Sequence, residues 1–269
     1  MRAPAGPWAS NRAPLGVKVP EITALFWVIK VLTTAMGEAT SDFLVTGNLV
    51  IAGVIGATGF AIALWLQFRA QRYVAWIYWF AVAMVAVFGT MAADGLHVEF
   101  GVPYLATTIF YGLALAVVFF LWRRNEGTLS IHSITTRRRE TYYWLTVLAT
   151  FALGTAVGDL IATTLNLGYL GSGVIFAVVI AVPAIGWWRL GFNPIFAFWF
   201  AYVITRPLGA SFADWFAKPH SVGDGLGVGG GPVATITTVA IIALVAYVTY
   251  GDRGPLAGRR LVARRARAG

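Results

Sequence analysis

The chain has 269 residues, 58% of them hydrophobic and only 12% charged, with a mean hydropathy of +0.74. Soluble domains carry about 25% charged residues, so this composition belongs in a membrane and the lipid bilayer is its first partner. The absence of cysteine excludes disulfides and thiolate metal sites. Three histidines, His97, His132 and His220, leave too few for a histidine-rich zinc centre.

In chain order, residues 1–19 read as a loose Pro- and Ala-rich segment without a cleavable signal. Eight apolar spans follow, at roughly 22–44, 48–68, 73–95, 101–122, 141–163, 167–188, 194–216 and 231–250, each near the ~20 residues needed to cross a bilayer. They form one membrane domain, 20–250, followed by a basic tail, 251–269. Seventeen of the twenty Lys and Arg residues fall in the N-terminal segment, in the loops 69–72, 123–139 and 189–193, or in the tail. Only Lys218 falls in the other set of loops, and Lys30 and Arg206 lie within spans. This bias puts both termini in the cytoplasm. The net charge of +9 is therefore a topology signal and implies no nucleic acid. Arg259, Arg260, Arg264, Arg265 and Arg267 could also hold anionic lipid, at about 1 kcal/mol each near the surface.

One pattern returns four times: an aromatic residue, Trp, nine residues, Gly, four residues, Asp. The copies are Phe26-Trp27…Gly37…Asp42, Tyr78-Trp79…Gly89…Asp94, Tyr143-Trp144…Gly154…Asp159 and Phe198-Trp199…Gly209…Asp214. Such a period marks repeated structural units, here about 20–68, 73–122, 140–190 and 193–250. Each unit holds two spans, so all four point the same way across the membrane, as parallel repeats do. The expected fold is all-α: a polytopic bundle of four two-helix repeats with pseudo-twofold or pseudo-fourfold packing. The glycines in spans 2 and 6 (Gly53, Gly56 and Gly59; Gly168, Gly171 and Gly173) read as close-packing positions rather than a phosphate-binding loop. The stretch 218–232, with its many glycines, reads as a slack linker or as a flap over the outer face.

Along each motif helix Asp lies roughly 22 Å beyond Trp, at about 1.5 Å per residue. The tryptophans Trp27, Trp79, Trp144 and Trp199 suit the inner interface, where aromatic rings anchor helices. Trp27, Thr34, Glu38, Ser41 and Asp42 share a sector of about 100° on span 1, a polar stripe that must face protein or water. Asp42, Asp94, Asp159 and Asp214 either cap the outer turns by accepting backbone N–H bonds, or converge as an acidic cluster that shares protons or binds cations. Glu38, one turn inside Asp42, has Thr90, Thr155 and Ala210 as its repeat equivalents. Glu38, Asp42, Asp94 and Asp159 offer oxygen ligands suited to a divalent cation such as Mg²⁺, Ca²⁺ or Mn²⁺, the only cofactor in view. His97 and Glu99 flank that outer end. Lys30 and Arg206 are the compensating charges. Arg206 is expected opposite Glu38, either as a structural pair or as a gate, while a chromophore on Lys30 is a weaker alternative. Pro207 and Pro183 should loosen spans 7 and 6.

The segments 26–42 and 193–210, within the four tandem units, resemble the bacterial uncharacterised membrane-anchored protein family built from a short repeat of unknown function. The resemblance implies a bacterial inner-membrane protein and transfers no activity and no catalytic residue. The residues themselves point to a transporter or channel for a cation, metal or proton-coupled, lined by the acids of four repeats. The alternative is a non-transporting module that binds a protein or lipid partner. An enzyme is not expected, because no nucleophile or metal triad can be assembled. Homo-oligomerisation is left open.

Overall fold

A computed structural model describes residues 16–98 and 100–251. The N-terminal residues 1–15, Glu99 and the Arg-rich tail lie outside the described residues. Among the described residues there are eight α-helices and no strand: α1 Ala24–Gly47, α2 Leu49–Arg69, α3 Ala75–Val98, α4 Tyr104–Glu126, α5 Arg137–Asp159, α6 Gly168–Arg189, α7 Pro194–Ala217 and α8 Gly230–Gly251. Seven are long and apolar enough to cross a membrane. The exception, α1, is 24 residues long but carries Lys30, Glu38 and Asp42.

Local chemistry sets the boundaries. The side chains of Thr23, Asn48, Thr136 and Asn193 accept backbone N–H bonds at the starts of α1, α2, α5 and α7. Pro194 occupies the first turn of α7, where its missing N–H has no partner to lose. Gly127 ends α4 at φ 72°, a left-handed position that glycine takes without strain. A one-turn 3₁₀ segment, Ile131–Ser133, leads into α5, and a π-turn, Leu160–Thr164, extends it. Neither Pro183 nor Pro207 breaks its helix.

The first helix of each repeat belongs to a closed ring: α1 packs on α3, α3 on α5, α5 on α7 and α7 on α1. The second helices lie outside. Each packs chiefly on the first helix of the next repeat: α2 on α3, α4 on α5, α6 on α7 and α8 on α1. The outer helices turn large apolar residues outward, among them Val54, Phe110, Val178 and Ile242. The ring helices expose fewer of theirs, Val28, Phe43, Trp76 and Phe196 among them, and bury most of the polar residues that are buried. This inside-out distribution suits a hydrocarbon solvent, which cannot satisfy a polar group.

The stretch after α7 is neither slack nor a free linker. The backbone N–H groups of Leu226, Gly227, Val228 and Gly229 donate to the carbonyls of Trp215, Lys218, Phe216 and Ala217, folding it onto the last turn of α7. A side chain at Gly225 would overlap the Lys218 carbonyl, so the fold-back needs glycine there. The Asp224 carboxylate then accepts from Tyr169 N at 2.6 Å and Leu170 N at 3.0 Å, capping α6 across the molecule. Slight burial opposes its charge, but these N–H bonds outweigh it and hold Asp224 below the usual carboxylate range.

Candidate functional site

The four motif glycines are where the ring closes. A β-carbon at Gly37 would overlap Ala86, at Gly89 Phe151, at Gly154 Arg206, and at Gly209 Thr34. These four obstacles are the same position of the next repeat, taken in turn around the ring. Glycine lets each backbone approach its neighbour, as small residues do wherever membrane helices pack closely.

The motif aromatics close a second circle. Trp79 meets Phe26 at 5.5 Å, Trp144 meets Tyr78 at 5.8 Å, Trp199 meets Tyr143 at 6.1 Å and Trp27 meets Phe198 at 5.7 Å. Trp79, Trp144 and Trp199 are buried and Trp27 is partly so. Their expected place as lipid-interface anchors is corrected: each ring finds a denser surface on the preceding repeat's aromatic residue, which excludes lipid from that face. The Tyr78 and Tyr143 hydroxyls meet at 2.5 Å inside this layer.

Two turns farther along, Arg206 is fully buried, with its Nη2 donating to Glu38 Oε2 at 2.6 Å and to Thr155 Oγ1 at 2.6 Å. The same nitrogen contacts Thr90 Oγ1. Nη1 donates to the Thr34 carbonyl at 3.2 Å. Glu38, Thr90 and Thr155 are equivalent positions of three repeats, and the fourth is the small Ala210. One guanidinium from the fourth repeat thus fills the space that a fourth polar side chain would occupy. The structure brings Arg206 against Glu38, as expected.

One turn beyond lie the aspartates. Oxygen atoms of Glu38, Asp42 and Asp94 come within 4.8 Å of one another. Asp159 stands outside that trio but within electrostatic reach of Glu38 and Asp42. Asp214 is buried, with Oδ1 3.7 Å from Lys218 Nζ, and the same ammonium contacts Asp42 Oδ2. None of the four accepts a backbone N–H among the described residues, so the capping role considered for them is corrected. The helices that follow two of the motif helices, α2 and α6, are capped instead by Asn48 and Asp224. All these donors are oxygens, as a hard cation prefers.

Lys218 is the site residue that sequence reading missed. It lies four residues after Asp214 and was visible as the sole basic residue in its set of loops. Burial disfavours its charge, but Asp214 and Asp42 more than compensate and hold the ammonium above its usual range. Lys30 departs from expectation in the other direction. It makes no ion pair with the acids among the described residues; its Nζ sits 4.1 Å from the Phe151 ring centre and 4.3 Å from that of Tyr202. His97 is structural, with its ring stacked on Tyr104 at 3.6 Å and Nδ1 2.7 Å from the Val102 carbonyl oxygen.

A second buried ion pair lies at the opposite end. Lys18 Nζ meets Glu140 Oε2 at 2.6 Å, and Gln67 Nε2 donates to Glu140 Oε1 at 3.3 Å. An apolar cleft between α1, α3 and α8, lined by Met36, Trp76, Met84 and Ile241 among others, opens on the outside of the ring.

Four stretches, 25–73, 77–128, 142–192 and 197–253, match a family described as Repeat of Unknown Function (DUF347). No curated protein and no solved structure is similar to the chain.

Proposed function

We propose, for a chain that belongs to the DUF347 repeat family, that it is an integral membrane transporter or channel for a cation, metal or proton-coupled, entering through the acids of its four repeats. On this reading all eight helices span the bilayer, α1 included, since its charges face the ring and not lipid. The repeats are parallel and related by a pseudo-fourfold axis along the membrane normal. The termini lie in the cytoplasm of a bacterial cell, and the acidic layer opens to the outside.

The observation that carries the reading is the gathering of Glu38 and four register-equivalent aspartates at one end of a closed helix ring, with only Lys218 and Arg206 to offset them among the described residues. Carboxylates crowded in a low-dielectric place repel, and they persist only with protons, cations or both. Lys218 acts as a tethered counter-ion that an arriving cation displaces. Glu38 is the asymmetric acid linking the entrance to Arg206. No catalysis is assigned. The test is uptake of Mn²⁺ or protons by sealed vesicles containing the purified chain. Asp42→Asn with Asp159→Asn should reduce uptake to the level of protein-free vesicles, and unchanged flux in that double variant removes the proposal.

A further inference from the structure

Lys30 has no use in the scheme so far. Its side chain is fully buried on α1, and its Nζ has no hydrogen-bond acceptor among the described residues. An ammonium carries three donors and normally finds acceptors for them when removed from water. Here it finds only two aromatic faces, those of Phe151 and Tyr202. Ring faces attract a desolvated cation less strongly than a carboxylate does, enough to hold a charge briefly and too little to fix it. Arg206 approaches the same Phe151 ring, its guanidinium carbon 5.4 Å from the centre, and its Nε also has no acceptor. The groups against Lys30 are thus Phe151 from α5 and Tyr202 from α7, with Arg206 over the shared Phe151 ring. The hydroxyls of Tyr143 on α5 and Tyr78 on α3 pair with each other in the motif aromatic layer. No charged side chain belongs to the described part of α8, and the only one on α2 is Arg69, which lies over Trp65.

Resting on the transport reading above, we propose that the species crossing the ring is the proton, that metal ions stop at the acidic layer, and that Lys30 carries the proton between Glu38 and the tyrosine hydroxyls. A metal ion would have to pass the permanently charged guanidinium of Arg206, offset only by the Glu38 carboxylate among the described residues. It would then meet an apolar stretch where Lys30 offers it one amine and two ring faces but no oxygen ligand. A proton needs no such room. On Glu38 it removes the carboxylate charge that holds Arg206 in place. It then leaves the carboxyl oxygen, crosses the Arg206 layer over water, and adds to the lone pair of the Lys30 amine: one O–H bond breaks and one N–H bond forms. The ammonium rests against the Phe151 and Tyr202 faces, then releases its proton into a relay. The receiving tyrosine oxygen gains one O–H bond as its own O–H proton passes along the Tyr78–Tyr143 pair and out to water on the far side. One N–H bond is lost, each tyrosine ends as a neutral hydroxyl, and Lys30 returns to the amine. A residue with this task must be able to lose its proton, which lysine can do and arginine cannot.

The experiment uses the full chain in sealed vesicles, with a pH-sensitive dye inside for one arm and a Mn²⁺-quenched dye for the other. Wild-type protein should acidify the lumen under an inward proton gradient while Mn²⁺ stays outside. Lys30→Met and Lys30→Arg should each slow acidification at least tenfold, with the Mn²⁺-induced shift in melting temperature unchanged. If Lys30→Met fails to assemble, Lys30→Arg, which keeps charge and length, decides alone. Wild-type acidification rates in a folded Lys30 variant, or Mn²⁺ entry through the wild type, overturn this inference and leave the cation-transport reading standing. A wild type that passes neither ion overturns that reading as well.

Discussion

Arg206 and Glu38 illustrate how one pair can be costly and indispensable together. Both are buried, and their 2.6 Å contact is supported by hydroxyls from Thr90 and Thr155. Removing one partner of such a pair strands the other in a low dielectric and costs about 3–5 kcal/mol, whereas replacing both by apolar groups of similar volume can be neutral. Arg206→Met should therefore lower the melting temperature sharply in detergent. Adding Glu38→Met should recover most of the loss, while proton uptake should be abolished in both. A double variant no more stable than the single one would show that the pair contributes little to folding. Lys18 and Glu140 make a comparable pair at the other end. That contact joins the chain just before α1 to α5 over 122 positions, and no local pattern in the sequence announced it.

At the level of the helix, the repeated Gly is an interface position and not a flexible one. Gly209 faces α1, and a β-carbon there would lie 2.9 Å from the Val31 carbonyl oxygen, an obstacle of backbone that cannot rotate away. Gly209→Ala should destabilise the protein by about 1–3 kcal/mol, the usual cost of overpacking. Gly53 has nothing within 4 Å of its would-be β-carbon. Gly53→Ala should be neutral or stabilising by up to about 1 kcal/mol, from helix propensity alone. Thermal unfolding of the two variants in one detergent checks the pair, and equal effects would deny the motif glycines their role in closing the ring. The same reasoning separates Gly56 and Gly59, which abut Met91 and Met84, from Gly171, which meets only Leu167, the residue just before its own helix. Sequence reading had grouped all of them as packing glycines.

The whole molecule is a ring of four helices inside a jacket of four others, in which each jacket helix leans on the next repeat. No repeat can bury its apolar face alone, which ties the four into one folding unit. The proposed topology is testable because the chain has no cysteine. In sealed cells a membrane-impermeant maleimide should label Ser221→Cys, in the loop after α7, and should leave Gln71→Cys, between α2 and α3, unlabelled until the cells are opened. The reverse pattern would turn the acidic layer toward the cytoplasm.

The sequence by itself determined the helical class, the eight helices to within a few residues, the four repeats and the register of their Trp, Gly and Asp. Each is a local or periodic property, written in hydropathy and spacing. It also singled out Glu38 and Arg206, because a charge amid apolar residues is conspicuous. What the tryptophans touch, which helix each jacket helix leans on, how the loop with Asp224 folds back, and that Lys218 lies between Asp42 and Asp214 were decided only in three dimensions. Several of these contacts, such as Trp79 with Phe26, Asp224 with Tyr169 and Lys218 with Asp42, join residues more than 50 positions apart, and their energy depends on which surfaces are brought together rather than on the residues' own preferences. Lys30 shows the difference most plainly: its sequence marks it as a buried charge, but only packing could surround it with aromatic rings instead of a carboxylate.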